Sequence, residues 1–429
     1  MKKLLVICLV LIMMVSCVSG CGQKSADEQG TVTLKIGLPS GYNLTPEEIV
    51  NGFLAEHPEI KLEIDETPWS EFKKKVKMQS ASGNAPSVFF MDSGHVATMG
   101  ANGTALDLSE RVKNDLNAEE YSAALYAGQD AEGHLWGIPH GLNTLAVYYN
   151  ESIFDEAGLS YPDESWTFDD MLEMAKKLTK DLDGDGETDQ YGIMLGTNIS
   201  SGWLPFVLAE GGAPLDESRT KSMFKDERTV KGLKKYVEPV KTGIAPNAEW
   251  TAAQGGTAAF YSGKIGIYIG LHSVLSVIEK NAPEDFRYNT QIMPYGVDGK
   301  RPCIYVPNLW VVSAQASEAE QEAAWEWIKY YLSDESQKIM MEKGLDGIQV
   351  KLTAMELLEN MEGKGPENME AFYAGMEEHG STMFENGTFD EWRPKADEII
   401  TQMRNSLVEF DDGIEELDKI VSKVLAGEY

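Results

Sequence analysis

Short strands rich in β-branched residues alternate with amphipathic helices, and this pattern constrains the fold more than any other feature of the sequence. Residues 31–38 (TVTLKIGL) predict a strand, and a helix follows with Thr45 as its expected N-cap. Strands at 60–64 and 88–91 flank a second helix that begins at about Ser70. Because parallel strands need helical crossovers, the alternation predicts an α/β fold with a mainly parallel sheet covered by helices.

The same alternation resumes after residue 145, which indicates a second unit of similar construction. Residues 145–150 (LAVYYN) predict a strand, a capped helix follows from Thr167, and further strands lie at 191–195 and 265–270. At roughly 150 residues per domain, a chain of 429 residues is also long enough for two or three units. Such sheets bind ligands at the carboxyl ends of their strands, so we expect the site in the loops that follow the strands.

The chain is strongly acidic, with 69 Asp and Glu residues against 37 Lys and Arg residues. Its longest basic run is only Lys73-Lys74-Lys75. Nucleic-acid phosphates need a clustered basic surface, so no nucleic-acid partner is expected. Three cysteines are crowded within the first 21 residues and Cys303 stands alone, so the sequence supports neither a disulfide framework nor a thiolate metal site.

Residues 1–20 have the pattern of an export signal. Two lysines precede an apolar run at 4–15, which would rise about 18 Å as a helix and fall short of the roughly 30 Å bilayer core. We therefore expect removal of this segment rather than a permanent transmembrane helix.

The segment 18–21 (VSGC) resembles the lipobox of bacterial lipoproteins, in which the cysteine becomes the lipidated N-terminus. We expect Cys21 to carry acyl chains such as palmitate and residues 21–30 to form a polar tether. The protein would then lie on the extracellular face of the cell membrane, or on the periplasmic side if an outer membrane is present. A plain secretory signal is the alternative, and Cys17 is a weaker second candidate for lipidation.

The motifs of common catalytic sites are absent from the sequence. It contains no His-Glu-x-x-His, no Gly-x-Ser-x-Gly, no phosphate-binding loop and no dinucleotide-binding glycine pattern, and its six histidines are scattered. We therefore expect no catalytic residues and no enzymatic activity. A pair of glycosidase carboxylates could hide among 69 acidic residues, so a secreted, calcium-containing carbohydrate-active enzyme is the alternative.

One acidic loop follows the order of calcium ligands in an EF-hand. Carboxylates stand at loop positions 1, 3, 5, 7 and 9 and glycine at position 6, but Gly192 replaces the glutamate of position 12. The loop is a candidate for a structural calcium ion, and a simple acidic turn is the alternative. The candidate ligands are Asp181, Asp183, Asp185, Glu187 and Asp189.

Five stretches in this order resemble the family 1 extracellular solute-binding proteins of ABC importers, the maltose-binding-protein-like group. They are residues 80–92, 133–159, 165–193, 262–270 and 308–335. The resemblance implies a two-lobed type II periplasmic-binding-protein fold that closes on a sugar and delivers it to permease subunits in the membrane. It implies no required cofactor and a monomeric receptor, and a sensor subunit that presents its ligand to a signalling partner is a further alternative.

The resemblance also implies three crossings of the chain between the lobes. They are expected near residues 139–143, 291–295 and 344–349. Lobe 1 would comprise residues 31–141 and 296–343, and lobe 2 residues 144–290 and 350–429.

Candidate binding residues follow from the resemblance and from the chemistry of sugars. The family's strand-exit, hinge and lobe 2 contacts fall here on Ser40, Tyr42, Asp92, Asn143, Trp203, His272 and Trp392. Aromatic rings stack on the C–H-rich face of a pyranose, while polar groups bind its hydroxyl edge. Additional candidates at expected loops or strand ends are Trp69, Tyr268, Asn308 and Trp310. Core packing is the alternative for each tryptophan.

Overall fold

The computed structural model of the chain describes residues 30–40, 44–130, 132–342, 347, 349–353, 366–374 and 380–428. Its strands are β1 (Val32–Pro39), β2 (Ile60–Thr67), β3 (Val88–Asp92), β4 (Ile138–Asn150), β5 (Tyr191–Met194), β6 (Ile265–Leu271), β7 (Tyr288–Gln291), β8 (Cys303–Val312) and β9 (Gly380–Ser381). Its helices are α1 (Glu47–Glu56), α2 (Trp69–Ala81), α3 (Ser93–Ala101), α4 (Ser109–Asp115), α5 (Glu151–Ala157), α6 (Phe168–Leu178), α7 (Leu204–Ala209), α8 (Glu227–Lys241), α9 (Ala248–Gln254), α10 (Gly256–Tyr261), α11 (Val274–Asn281), α12 (Glu318–Tyr331), α13 (Asp334–Glu342), α14 (Phe389–Arg404) and α15 (Phe410–Leu425).

Helix starts depend on local capping, and the structure separates two predicted caps. The Thr167 hydroxyl accepts the Asp170 N–H, and the Asp170 carboxylate accepts the Thr167 N–H, so α6 begins with a complete capping box. Helix α1 instead begins after Pro46, without a side-chain cap, so the predicted cap at Thr45 is not formed. Proline can still start this helix because its fixed φ suits the first turn.

Lobe 1 is the part of the molecule built around one hydrophobic core of residues 34–142 and 309–350. Its sheet has the order β2-β1-β3-β8-β4, with β1 parallel to β2 and β3, and β8 antiparallel to β3 and β4. Helix α12 packs on this sheet and buries Trp325 and Trp327. The Phe53 ring of α1 meets Trp327 edge-on, with 5.1 Å between ring centroids, which joins α1 to the same core.

Lobe 2 is the part built around two further clusters, of residues 145–304 and 371–424. The second half of β4 pairs antiparallel with β6 and β7, and β5 pairs parallel with β6. The predicted α/β class is confirmed, but the sheet is mixed rather than mainly parallel. The antiparallel pairs come from β4 and β8, the strands that pass from one lobe to the other.

Strands β4 and β8 form the link between the lobes. They pair antiparallel from Ile138 opposite Trp310 to Thr144 opposite Tyr305, with an irregularity between Pro139 and Gly141. The first half of β4 therefore belongs to the lobe 1 sheet and the second half to lobe 2. This link lies where the first crossing was predicted.

The second crossing lies later in the chain than residues 291–295. The Tyr295 N–H donates to the Trp166 carbonyl and the Val297 N–H to the Ala209 carbonyl, both in lobe 2. Cys303 and Ile304 are buried in the lobe 2 core. We therefore assign the crossing to β8 itself, because backbone hydrogen bonds hold the segment before it on lobe 2.

Most of the third predicted crossing, residues 344–346 and 348, lies outside the described residues. Val350 is fully buried in the lobe 1 core, and Lys351 Nζ lies 2.9 Å from Asp334 Oδ1 at the start of α13. We therefore extend lobe 1 to residue 351. Within the described parts of the chain, no helix combines the length and apolar character that a membrane span requires.

Candidate ligand-binding site between the lobes

The carboxyl ends of β1, β2 and β3 meet at one edge of the lobe 1 sheet. Pro39 and Thr67 are register partners, and the Ser40 N–H donates to the Thr67 carbonyl over 2.9 Å. Trp69 begins α2 at this edge, half-buried, with its ring edge-on to Phe90. Tyr42, predicted in the same loop as Ser40, lies outside the described residues. We call this region the strand-exit edge.

Asp92 ends β3 and lies opposite Asn308 of β8 in the antiparallel ladder. One Asp92 oxygen is 2.6 Å from Lys73 Nζ, and the other is 2.5 Å from His95 Nδ1. Burial alone would raise the pKa of Asp92, but the His95 hydrogen bond and the charges of His95 and Lys73 outweigh it and lower the pKa. Asp92 is therefore an anionic group already engaged by two protein donors.

Helix α3 of lobe 1 touches the start of α14 in lobe 2 beside Asp92. His95 Nε2 lies 3.1 Å from Asp390 Oδ1, an ion-pair distance without hydrogen-bond geometry. The Ser93 hydroxyl donates to Glu385 over 2.7 Å, and the Phe389 ring lies directly against Gly94. Any Cβ at position 94 would overlap that ring, so glycine permits the contact. We call this contact the interlobe bridge.

Hinge residues bring polar groups to the same region from the lobe 2 side. The Asn143 amide donates to the Ser273 hydroxyl and accepts the Ser273 N–H, both over 3.0 Å. The neighbouring His272 is half-buried, and its ring meets Phe372 edge-on. Burial lowers the pKa of His272 to about 4, so its imidazole is neutral at pH 7. Tyr268 lies further along β6, where its hydroxyl is 3.4 Å from the Thr257 hydroxyl.

A cavity of about 1000 Å³ lies between the lobes on the other side of the interlobe bridge. The Ser93 face of α3 lines it, whereas His95 does not. Lobe 1 supplies the exposed ring of Tyr126, and lobe 2 supplies Arg219 and Phe384, both with left-handed backbone conformations. Its volume is at the upper end for small-molecule sites. No residue of the predicted site lines this cavity, which we call the interlobe cavity.

Residues 40–338 match the family model of the bacterial extracellular solute-binding proteins, well over half of the chain. The chain belongs to this family. Among curated relatives, the maltotriose-binding protein of Pyrococcus abyssi is 23% identical over 307 residues, which is 68% of this chain. The match spans 62% of that relative, less than two thirds of its length. The predicted family is thus confirmed, and it is a family of binding proteins that need no cofactor.

Solved structures of solute-binding proteins share the fold. The ABC substrate-binding protein Lmo0181 from Listeria monocytogenes, solved in complex with cycloalternan, superimposes with a TM-score of 0.81 at 18% identity, covering 92% of this chain and 99% of that one. The sugar-binding protein MalE from Xanthomonas citri gives a TM-score of 0.78 at 18% identity, covering 92% and 98%. The two-lobed type II fold is therefore confirmed.

Three of the predicted tryptophans have no exposed surface in this solute-binding protein. Trp203, Trp310 and Trp392 all lie in lobe cores with 0% exposure. The Trp203 N–H donates to Asp397 over 2.8 Å, and the Trp392 N–H donates to Asn386 over 3.2 Å. A ring without a free face cannot stack on a sugar in this conformation. The structure assigns these three rings to core packing, and we remove them from the proposed site.

The acidic loop brings only part of the predicted metal set together. Carboxylate oxygens of Asp181, Asp183 and Asp189 lie within 4.8 Å of one another, and this is the candidate metal group that the described residues contain. Asp185 and Glu187 fall outside the group, and the Asp185 carboxylate accepts the Glu187 N–H instead. The loop's own N–H groups point at the three clustered residues: the Gly184 and Gly186 N–H groups donate to Asp181.

Proposed function

We propose that this protein is the substrate-binding subunit of an ABC importer, and that it captures a carbohydrate between its lobes and delivers it to a membrane permease. The observation that carries the proposal is the division into two lobes with separate cores, linked through β4 and β8. A solute that contacts both lobes stabilises the closed form through its higher affinity for that form. Such a protein binds and releases its solute without changing it.

The relatives support a carbohydrate as cargo. One is a maltotriose-binding protein, and a protein of the same fold was solved with cycloalternan. The half-buried Trp69 ring and the amides of Asn143 and Asn308 provide the apolar and polar contacts that a pyranose needs. We propose that the strand-exit edge binds the sugar, through Ser40, Tyr42, Trp69, Asp92, Asn143, Tyr268, His272 and Asn308.

Calorimetric titration of the purified protein with a panel of mono- and oligosaccharides tests the cargo. We expect one sugar class to bind at one site per monomer, and chromatography to recover that sugar unchanged. Binding of a different solute class with no sugar binding would contradict the carbohydrate assignment. Conversion of the sugar would instead contradict the receptor function.

The lipid anchor is a proposal from the sequence, because Cys21 lies outside the described residues. The family is extracellular by description, and an acylated Cys21 would keep the monomeric receptor beside its permease. In cells, Cys21→Ser is expected to release the protein from the membrane fraction, whereas Cys17→Ser leaves it bound. Membrane retention of the Cys21→Ser protein would contradict the anchor.

A structural calcium ion is the second finer proposal. Three clustered carboxylates on an exposed loop provide oxygen ligands of the kind calcium prefers, with an expected affinity of about 10⁻⁴ to 10⁻³ M. Millimolar calcium should raise the Tm of the chelator-treated protein and leave that of Asp181→Asn unchanged. An equal response of both proteins would contradict a calcium site in this loop.

A further inference from the structure

We infer that His95 and Asp390 form a proton-dependent link that holds the two lobes closed. The inference rests on the proposed function, in which closure retains the cargo. His95 belongs to α3 of lobe 1 and Asp390 to α14 of lobe 2, and their side chains are only 20% and 18% exposed. The His95 ring lies between two carboxylates, with Nδ1 2.5 Å from Asp92 and Nε2 3.1 Å from Asp390.

The two ring nitrogens make this arrangement sensitive to protonation. A neutral imidazole carries one N–H, and Asp92 is the closer acceptor for it. The lone pair on Nε2 would then face an oxygen of Asp390, which is unfavourable. A protonated ring carries an N–H on both nitrogens and attracts both carboxylates. The closed form is therefore favoured when His95 holds its second proton.

The charges around Asp390 show how much the link depends on His95. Burial and the negative charge of Asp92 raise the pKa of Asp390, while the charges of His95, Lys77 and Lys73 oppose this rise. Asp390 Oδ1 accepts no hydrogen bond from the described residues. Without a cationic ring at position 95, closure would bring two carboxylates together in a partly buried site, with only the lysines of α2 to compensate.

The direction of the pH effect follows from this geometry. Closure brings Asp390 to a ring that already touches Asp92, so the closed form binds a proton more tightly than the open form does. Histidines change charge between about pH 5 and 8, so closure should weaken as pH rises through that interval. At much lower pH, protonation of Asp390 should weaken the link again, because its pKa is raised.

Small-angle scattering of the sugar-free protein between pH 5.5 and 8.5 tests the link with protons as the only probe. We expect the ratio of closed to open molecules to fall by about 3- to 10-fold across this range, the size of a partly exposed ion pair. In His95→Gln and Asp390→Asn the ratio should no longer follow pH. His95→Lys keeps a cation at this position, so it should remain closed at pH 8.5.

His57→Gln is the matched control. His57 lies in the same lobe, is 19% exposed and also pairs with a carboxylate, Glu59, but it makes no contact between the lobes. It should keep the wild-type pH profile. A wild-type profile in His95→Gln would overturn the link, as would loss of pH dependence in His57→Gln. If no sugar binds the wild type, the proposed function fails while the scattering result still decides the link.

Discussion

The strand-exit edge and the interlobe cavity lie on opposite sides of the interlobe bridge, and they are built differently. Ser40, Trp69 and Asp92 each follow a parallel strand closely, so the sheet itself holds them at one edge. The interlobe cavity is instead lined by loops, among them those of Tyr126, Arg219 and Phe384. The difference teaches that a rigid sheet positions the first region, while the second depends on how the lobes and their loops meet.

The largest effect should come from the core beneath the strand-exit edge. Trp310 follows Asn308 in β8 and packs against His140, Trp327 and Tyr331. Trp310→Ala should lower the free energy of unfolding by about 3–5 kcal/mol, as large-to-small core changes do. Chemical denaturation measures the effect, with Trp69→Ala as the comparison. If both variants lost the same stability, Trp69 would belong to the core and not to the site.

An intermediate effect is expected at the hinge. Asn143→Ala removes both hydrogen bonds to Ser273 and the amide proposed to bind the sugar. At about 1 kcal/mol for each hydrogen bond, affinity for the cargo sugar should fall by roughly 10-fold. Calorimetry measures it against Asn281→Ala, an exposed asparagine of α11. Unchanged affinity in Asn143→Ala would remove the hinge amide from the site.

The smallest effect separates the two regions most sharply. Trp69→Ala should weaken sugar binding by about 3- to 10-fold, the value of roughly 0.5–1.5 kcal/mol for aromatic stacking. Tyr126→Ala removes an exposed ring from the interlobe cavity and should leave the dissociation constant unchanged. The reverse pattern would move the cargo from the strand-exit edge to the cavity.

Sequence patterns predicted those parts of the fold that depend on local structure. Strand and helix alternation gave the α/β class, and the capping box at Thr167 marked the start of α6. The second crossing was misplaced because backbone hydrogen bonds of Tyr295 and Val297 hold that segment on lobe 2. Such contacts join segments more than 80 residues apart in sequence, and no local pattern records them.

Prediction of the site was limited in the same way. The burial of Trp203 and Trp392 depends on helices packed from distant segments, so a tryptophan at a loop could not be distinguished from one in the core. Tyr126 and Arg219 were missed because they meet only when the lobes do. His95 had a usable signal: it follows Asp92 by three residues at a helix start, a spacing that brings the two side chains together.

The central claim is that a sugar is held between the lobes at the strand-exit edge, and a crystal structure of the protein with its cargo tests this most directly. We expect the sugar intact against the Trp69 ring, within hydrogen-bond distance of Asn143, and in contact with both lobes. A sugar in the interlobe cavity, on a single lobe, or with a cleaved bond would contradict the account.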